Sequence, residues 1–215
     1  SLYQHMVRQI NYLDAEDTDL CKKILAITST VYRPITLTEI SHLVGPEDLR
    51  DDDESWTEVI GLCGSFLTLR EHTIYFVHQS AKDFLLDKAS HDIFPYGINR
   101  VHYDIFRQSL QVMSEVLRRD VYGLERPGVL IDQVIELDPD PLAVARYCCT
   151  HWGDHLMDSD VRENNIYDIQ DSGLICSFFR TNYLYWLEAL SLIKKLTDGI
   201  AMIIKLESWL QVSYP

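Results

Sequence analysis

The first residues that could carry chemistry are thiols and imidazoles in one predicted helix. Cys148, His151 and His155 follow one another at steps of three and four residues, which places their side chains on one helix face. Zinc sites need such ligands to converge from one side. The His-Glu-x-x-His pattern is absent, however, and the sequence offers no second pair of ligands. We therefore predict that these residues and the adjacent Cys149 pack in a helical core, and that the chain has no metal site.

A second group of residues is suited to holding an anion. In the segment 76–85, His78 leaves an extended run just before a helix that Ser80-x-x-Asp83 begins. The free N–H groups and the positive dipole end of a helix N-terminus favour negative charge. An imidazole there could donate a hydrogen bond to a phosphate oxygen. The alternative is that His78 caps or buttresses its own helix while Ser80 satisfies the first turn.

Motifs for independent catalysis are missing from the sequence. Gly-x-Ser-x-Gly does not occur, because Gly64-Ser65 lacks the second glycine. There is no Gly-rich phosphate loop of the Walker or Rossmann kind. Nothing selects a Ser/His/Asp or Cys/His triad, so we predict no catalytic residue and no enzyme activity for this chain alone.

The hydrophobic pattern predicts the elements that position His78. Helices are predicted at 17–32, 37–44, 55–63 and 80–88, and a hairpin of two strands at 65–69 and 73–77. Thr36-x-x-Glu39 is the capping box that begins the second helix. An acidic connector covers 47–54. This order predicts a winged-helix domain over residues 16–92, preceded by a connector over residues 1–15.

The rest of the chain, residues 93–215, is predicted to form an all-α helical domain. A strongly apolar helix is expected at 100–119, and Asp140-Pro141 marks the start of another. A polar, acidic loop is expected at 157–171. The predicted core of the last helices is Leu184, Leu187, Leu190, Ile193 and Leu196. The predicted fold class is therefore mainly α with a small β-hairpin, a winged-helix domain followed by an all-α helical domain.

Charge and composition exclude several classes of partner. The chain of 215 residues has 33 acidic and 19 basic residues, a formal net charge of −14, which disfavours polyanions. In a winged-helix fold the third helix would enter the DNA major groove, yet residues 51–69 contain no Lys or Arg. DNA binding is thus the weaker alternative. No apolar run approaches a membrane span, and the first nineteen residues lack the form of a signal peptide. Five scattered cysteines fit a reducing, cytoplasmic location.

Several segments, in order along nearly the whole chain, resemble one family. They are Tyr32-Arg33-Pro34-Ile35-Thr36-Leu37, Cys63-Gly64-Ser65-Phe66-Leu67, the run from Val77 to Leu85, Pro139-Asp140-Pro141-Leu142, Tyr147-Cys148, Trp152-Gly153-Asp154-His155-Leu156 and the run from Tyr185 to Leu192. Together they resemble the region just after the NACHT nucleotide-binding module of fungal STAND proteins, the NOD-like receptors of the heterokaryon-incompatibility type.

This resemblance implies a place for the chain and a role for one residue. It implies a winged-helix and a helical domain between an NTPase core and a C-terminal repeat array of WD or ankyrin type. His78 matches the histidine of the family's Met-His-Asp motif, which contacts the phosphate of the bound nucleotide. Val77 and Gln79 depart from the motif's methionine and aspartate. ATP/ADP or GTP/GDP would be the cofactor of the full-length protein, with none in this chain alone.

Two functions of different classes therefore stand as expectations. The first is a regulatory and linker region that relays nucleotide state and sensor input, with the NACHT module and the repeat domain as intramolecular partners and homo-oligomerisation on activation. The second is a constitutive scaffold or protein-interaction module that only packs neighbouring domains. Neither involves nucleic acid or a membrane.

Overall fold

Helices make up most of the chain, and the strands form one small antiparallel sheet. The computed structural model describes residues 2–44, 53–126, 128–135, 137–159 and 173–213. The chain divides into two compact units, Ser1–Val101 and His102–Pro215. The predicted fold class, mainly α with a small β-hairpin, is confirmed. Of the predicted acidic connector, residues 47–52 lie outside the described residues, and 53 and 54 are helical. Of the loop predicted at 157–171, residues 160–171 lie outside the described residues, and 157 and 158 are helical.

The elements of the first unit follow the predicted order. They are α1 (Leu2–Ile10), α2 (Ala15–Thr30), β1 (Ile35–Thr36), α3 (Leu37–Val44), α4 (Asp53–Leu62), a 3-10 turn (Gly64–Phe66), β2 (Leu67–Arg70), β3 (Thr73–Phe76), α5 (Gln79–Asp87) and α6 (Ser90–Ile93). Helices α2 to α5 match the predicted helices within two residues at either end. Helix α1 lies in the stretch that the sequence assigns to a connector.

Helix α2 forms the centre of this unit's core. It packs against α3, α4, α5 and α6, and Ile24 and Leu25 are fully buried. The helix begins at Asp14, whose carboxylate accepts a hydrogen bond from the backbone N–H of Asp17 at 2.9 Å. It ends at Val31, whose backbone is extended with φ −65° and ψ 149°, three residues ahead of Pro34.

The capping box forms as predicted and gains a charged partner. The backbone N–H of Glu39 donates to Thr36 Oγ1 at 3.2 Å, and the N–H of Thr36 donates to Glu39 Oε2 at 3.0 Å. Glu39 is only 2% exposed, and the Arg33 guanidinium binds both of its carboxylate oxygens. This bidentate pairing compensates the cost of burying the carboxylate.

The sheet has the strand order β1-β3-β2, and both pairings are antiparallel. Ile35 pairs with Ile74, and Leu67 pairs with Phe76. Strand β1 was not predicted because two residues show no period. It exists only because β3 supplies its hydrogen-bonding partner, and the N–H of Leu37 extends the contact by donating to the carbonyl of His72 at 2.9 Å.

The hairpin turn consists of Glu71 and His72. Both have positive φ, at 47° and 60°, as a type I′ turn requires. Asn-Gly is the sequence that such turns favour, because other L-residues are strained in the left-handed region. The sequence lacks the Asn-Gly signal of such a turn, and the backbone is accordingly strained at these two residues.

The second unit contains the longer helices. They are α7 (Ile98–Val116), whose first residues belong to the first unit, α8 (Arg146–Asp158), α9 (Leu174–Leu192) and α10 (Leu196–Ser213), with 3-10 turns at Ile131–Gln133 and Ala143–Ala145. The helix start predicted at Asp140-Pro141 is wrong, since α8 begins at Arg146, after the 3-10 turn. Ahead of that turn, Asp140 Oδ1 accepts from the N–H of Leu142 at 2.9 Å. Arg146 Nε donates to the other carboxylate oxygen at 2.7 Å.

Two buried tryptophans lie at the centre of this unit. The rings of Trp152 and Trp186 meet edge to face, with centroids 6.2 Å apart. The indole N–H of Trp186 donates to the carbonyl oxygen of Cys149 at 2.9 Å. The predicted core of the last helices is partly wrong, since Leu184 in α9 and Leu196 at the start of α10 are exposed. Trp186 turns the buried face of α9 towards Trp152, and Leu184, two residues away, falls on the opposite side.

A glycine lies at each of the contacts that helix α10 makes with α8 and α9. A Cβ added at Gly199 would overlap Leu190 Cδ1, a side chain that is fully buried. A Cβ at Gly153 would lie 2.7 Å from Met202 Sδ, the flexible end of a side chain. The α9–α10 contact is therefore the less tolerant one. None of the described helices is long and apolar enough to span a membrane.

We predict that Glu71→Asn combined with His72→Gly raises the free energy of unfolding by about 1 kcal/mol, because the turn residues then tolerate positive φ. The backbone hydrogen bond from Leu37 stays in place. Urea denaturation provides the measurement. The matched control replaces both residues with alanine, which removes the same side chains without relieving φ. Equal stability of the Asn-Gly and Ala-Ala variants would contradict the prediction.

We predict opposite effects for two Gly→Ala substitutions in helices. Gly199→Ala should destabilise the chain by about 1–3 kcal/mol, since the new methyl group meets Leu190. Gly61→Ala in α4 should stabilise it by up to about 1 kcal/mol, because nothing lies within 4 Å of the added Cβ. Thermal unfolding of both variants tests this pair, and a stabilising Gly199→Ala would refute the close contact.

Candidate functional site

His78 lies between the end of strand β3 and the start of helix α5. The N–H of Val77, the residue after β3, donates to the carbonyl of Phe66 at 2.9 Å. His78 then has extended φ and ψ of −152° and 146°, the conformation of an N-cap residue. Its Nδ1 accepts a hydrogen bond from the backbone N–H of Ser80 at 3.1 Å. The Ser80-x-x-Asp83 pattern predicted Ser80 as the capping residue, whereas the structure has the alternative in which the imidazole of His78 caps its own helix.

Ser80 connects the histidine to helix α1. Its Oγ lies 2.7 Å from His78 Nδ1 and 2.7 Å from the hydroxyl of Tyr3. The Tyr3 ring packs against Phe66 and Phe84, with centroids 5.8 and 5.3 Å away. Sequence reasoning missed Tyr3, because it is 77 residues from Ser80 and no local pattern marks it.

The capping bond leaves the other imidazole nitrogen for a ligand. Because Nδ1 accepts from Ser80, the ring proton of neutral His78 resides on Nε2. His78 is exposed, and no hydrogen bond to Nε2 is found among the described residues. Ala81 and Leu85 are buried and hold the start of α5 against the core. The arrangement therefore offers an N–H donor to solvent beside a helix N-terminus, which suits a phosphate oxygen.

Of the thiols and imidazoles in α8, which the sequence predicts to pack in the core, His155 lies in a buried hydrogen-bonded group. His155 Nε2 lies 2.7 Å from the Tyr147 hydroxyl, and His155 Nδ1 lies 2.9 Å from Nδ1 of His102 on α7. His151 Nδ1 is directed to Asp154 at 3.5 Å. No three potential ligands converge on a metal site in the part of the chain that the structure describes. His102, which is 53 residues from His155, was not foreseen from the sequence.

Burial favours the neutral forms of His155 and His102. His155 is fully buried, and burial, then His102, then His151 lower its pKa to about 2. Burial also lowers the pKa of His102, against an opposing effect of Asp158. Cys149 is buried beside them, and burial raises the pKa of its thiol. Neutral imidazoles and an unionised thiol fit the predicted packing role of these residues.

Over nearly its whole length the chain is similar to a fungal incompatibility protein, which confirms the resemblance to the NACHT, or STAND, type. The match is to the vegetative incompatibility protein HET-E-1 of Podospora anserina. The two are 52% identical over 225 aligned residues, which cover 98% of this chain and 16% of that protein. The chain thus spans about a sixth of its relative's length. No family model and no solved structure matches the chain.

We predict that acid destabilises the second unit through its buried histidines. An unfolded histidine has a pKa near 6.5, so the unfolded chain binds more protons than the folded one below that pH. The stabilisation is complete above about pH 6.5 and decreases as pH falls towards the lowered folded values. The slope is about 1.4 kcal/mol per pH unit for each proton.

Urea denaturation between pH 7.5 and 5 measures this loss. His155→Gln should reduce the slope by about one proton, because glutamine does not titrate. His5→Gln is the matched control, since His5 is exposed, and its slope should equal that of the wild type. An unchanged slope in His155→Gln would contradict the prediction.

Proposed function

We propose that this chain is the regulatory region of a fungal incompatibility NTPase and relays the state of a bound nucleotide. The observation that carries the proposal is the Nε2–H of His78, which is exposed at a helix N-terminus while Nδ1 holds the cap. The nucleotide, ATP/ADP or GTP/GDP, would be bound by a NACHT module, which this chain does not contain. The chain itself has no Walker motif, so we propose no catalytic role for it.

The fold of the first unit supports this role. Its order of helix, strand, two helices and hairpin, α2-β1-α3-α4-β2-β3, is the order of a winged-helix domain. We propose a winged helix over residues 16–92, reached through a connector over residues 1–15, and a helical domain over residues 93–215. His78 leaves the last strand of the winged helix, so a rigid sheet and the core of α2 determine its position.

The chemistry that His78 would contribute is one oriented hydrogen bond. Its neutral imidazole would donate from Nε2 to a phosphate oxygen, and the positive end of α5 would favour the negative charge. Gln79, which stands where the family motif has an aspartate, donates to Asp83 Oδ1 at 2.9 Å. Its amide is held by its own helix, so the support that an aspartate would lend is absent from this position.

The charge of helix α4 argues against nucleic acid as a partner. This helix would be the DNA-reading helix of a winged-helix domain, yet it contains Asp53, Glu54 and Glu58 and no Lys or Arg. Such a surface would repel a phosphate backbone. We therefore propose a cytoplasmic switch whose partners are the NACHT module and a C-terminal repeat domain, with homo-oligomerisation on activation.

A constitutive scaffold is the competing function. Leu196, Ile200 and Ile204 recur every four residues along α10, and all three are exposed. An apolar stripe of this kind suits permanent packing against a neighbouring domain. A scaffold would not depend on the exposed nitrogen of His78, and this difference separates the two functions.

We predict that His78→Asn weakens nucleotide retention by about ten- to a hundredfold in the natural protein with its NACHT module, as loss of a hydrogen bond to a charged group implies. Asparagine is a good N-cap, so the helix start is preserved, but its short side chain removes the outward donor. Nucleotide released by denaturing the purified protein is measured by chromatography.

His91→Asn is the matched control, since His91 is exposed on α6. It should retain nucleotide as the wild type does. Wild-type retention in His78→Asn would reject the nucleotide contact and favour the scaffold.

A further inference from the structure

We propose that Tyr3 and Ser80 are positioning residues that hold His78 in its Nε2–H tautomer, so that helix α1 controls the hydrogen bond His78 offers. This inference deepens the proposed nucleotide contact and rests on it for its biological meaning. The three side chains form a continuous chain, with 2.7 Å between the Tyr3 and Ser80 oxygens and 2.7 Å between Ser80 Oγ and His78 Nδ1.

The positions of the hydrogens follow from the groups that meet at Nδ1. The backbone N–H of Ser80 donates to Nδ1 at 3.1 Å, so Nδ1 has no proton of its own. Ser80 Oγ is also in contact with Nδ1 and must donate its hydroxyl hydrogen there, because two acceptors would repel each other. The remaining lone pairs of Ser80 Oγ then accept the hydroxyl hydrogen of Tyr3. The donors therefore run in one direction, from Tyr3 to Ser80 to His78.

The other tautomer would disrupt this network. A proton on Nδ1 would face the backbone N–H of Ser80, which would lose its acceptor at the first turn of α5. Nε2 would then carry a lone pair outward and would repel a phosphate oxygen. The same network that caps α5 thus decides whether His78 presents a donor or an acceptor to a ligand.

Helix α1 decides whether Tyr3 takes part. Met6, Val7 and Ile10 are the buried face of this helix. The Tyr3 ring is stacked against Phe66 at an interplanar angle of 26° and is tilted by 40° to Phe84. The hydroxyl position therefore follows from how α1 packs. Donation from Tyr3 polarises the Ser80 hydroxyl and strengthens its bond to Nδ1, so displacement of α1 would loosen the hold on the imidazole.

The first experiment measures the tautomer directly in the chain of 215 residues. Long-range correlation of imidazole ¹⁵N and ¹H nuclei, at a pH where His78 is neutral, distinguishes a protonated from an unprotonated Nδ1. We expect the wild type to show only the Nε2–H form. Ser80→Ala keeps the backbone N–H and removes only the hydroxyl donor, so its shifts should move part of the way towards those of the second tautomer. Tyr3→Phe, which keeps the ring and removes only the hydroxyl, should give a smaller change in the same direction.

Tyr12→Phe is the matched control, because it also removes a single tyrosine hydroxyl and Tyr12 is exposed. It should leave the His78 signals unchanged. A wild type with a proton on Nδ1 would overturn the inference. So would His78 signals that are identical in the wild type and in Ser80→Ala. Circular dichroism confirms that each variant remains folded, and Tyr3→Phe retains every ring contact of the wild type.

The second experiment separates this inference from the proposed function. In the natural protein with its NACHT module, Ser80→Ala should weaken nucleotide retention by about two- to tenfold and Tyr3→Phe by less, as the loss of a neutral hydrogen bond implies. If the tautomer responds while His78→Asn retains nucleotide, the positioning network stands and the nucleotide contact fails. If His78→Asn loses nucleotide while the tautomer is unmoved, the contact stands and the positioning role is overturned.

Discussion

An α-helix begins with N–H groups that no earlier carbonyl can accept, and α5 meets this requirement with an imidazole nitrogen. Because Nδ1 of neutral His78 accepts the capping hydrogen bond, Nε2 has the ring proton and a defined position. A serine cap would accept the same N–H at the oxygen that also carries its donor hydrogen, whereas the imidazole has acceptor and donor on two separate nitrogens. The structural and the functional interpretation of His78 are therefore compatible, since the two nitrogens of one ring serve one role each.

Local signals in the sequence were sufficient for most elements of the first unit. The capping box of Thr36 and Glu39 placed the start of α3, because both partners lie within one helical turn. Strand β1 could not be found in this way, since its pairing with β3 joins residues far apart in sequence. The hairpin was found without its usual turn residues because both flanking runs are rich in residues that favour strands. The winged-helix interpretation remains a proposal that this order of elements supports.

The parts of the site that sequence reasoning missed are contacts across long sequence separations. Tyr3 reaches Ser80 from α1, and His102 reaches His155 from α7. No spacing rule connects such pairs. The hydrophobic pattern also misplaced the buried face of α9, because leucines occur on several sides of that helix and the packing of Trp186 on Trp152 decides between them. Side-chain size, more than periodicity, determined that orientation.

The ion pair between Arg33 and Glu39 has a consequence for the evolution of this region. Glu39 serves at once as a capping residue and as the buried acceptor of a guanidinium. Changing Arg33 alone would strand an unneutralised carboxylate, and changing Glu39 alone would remove a helix start as well as a counter-ion. Either single step is unfavourable, so these two codons are expected to covary among homologous genes. Such covariation would be visible in an alignment of homologous sequences.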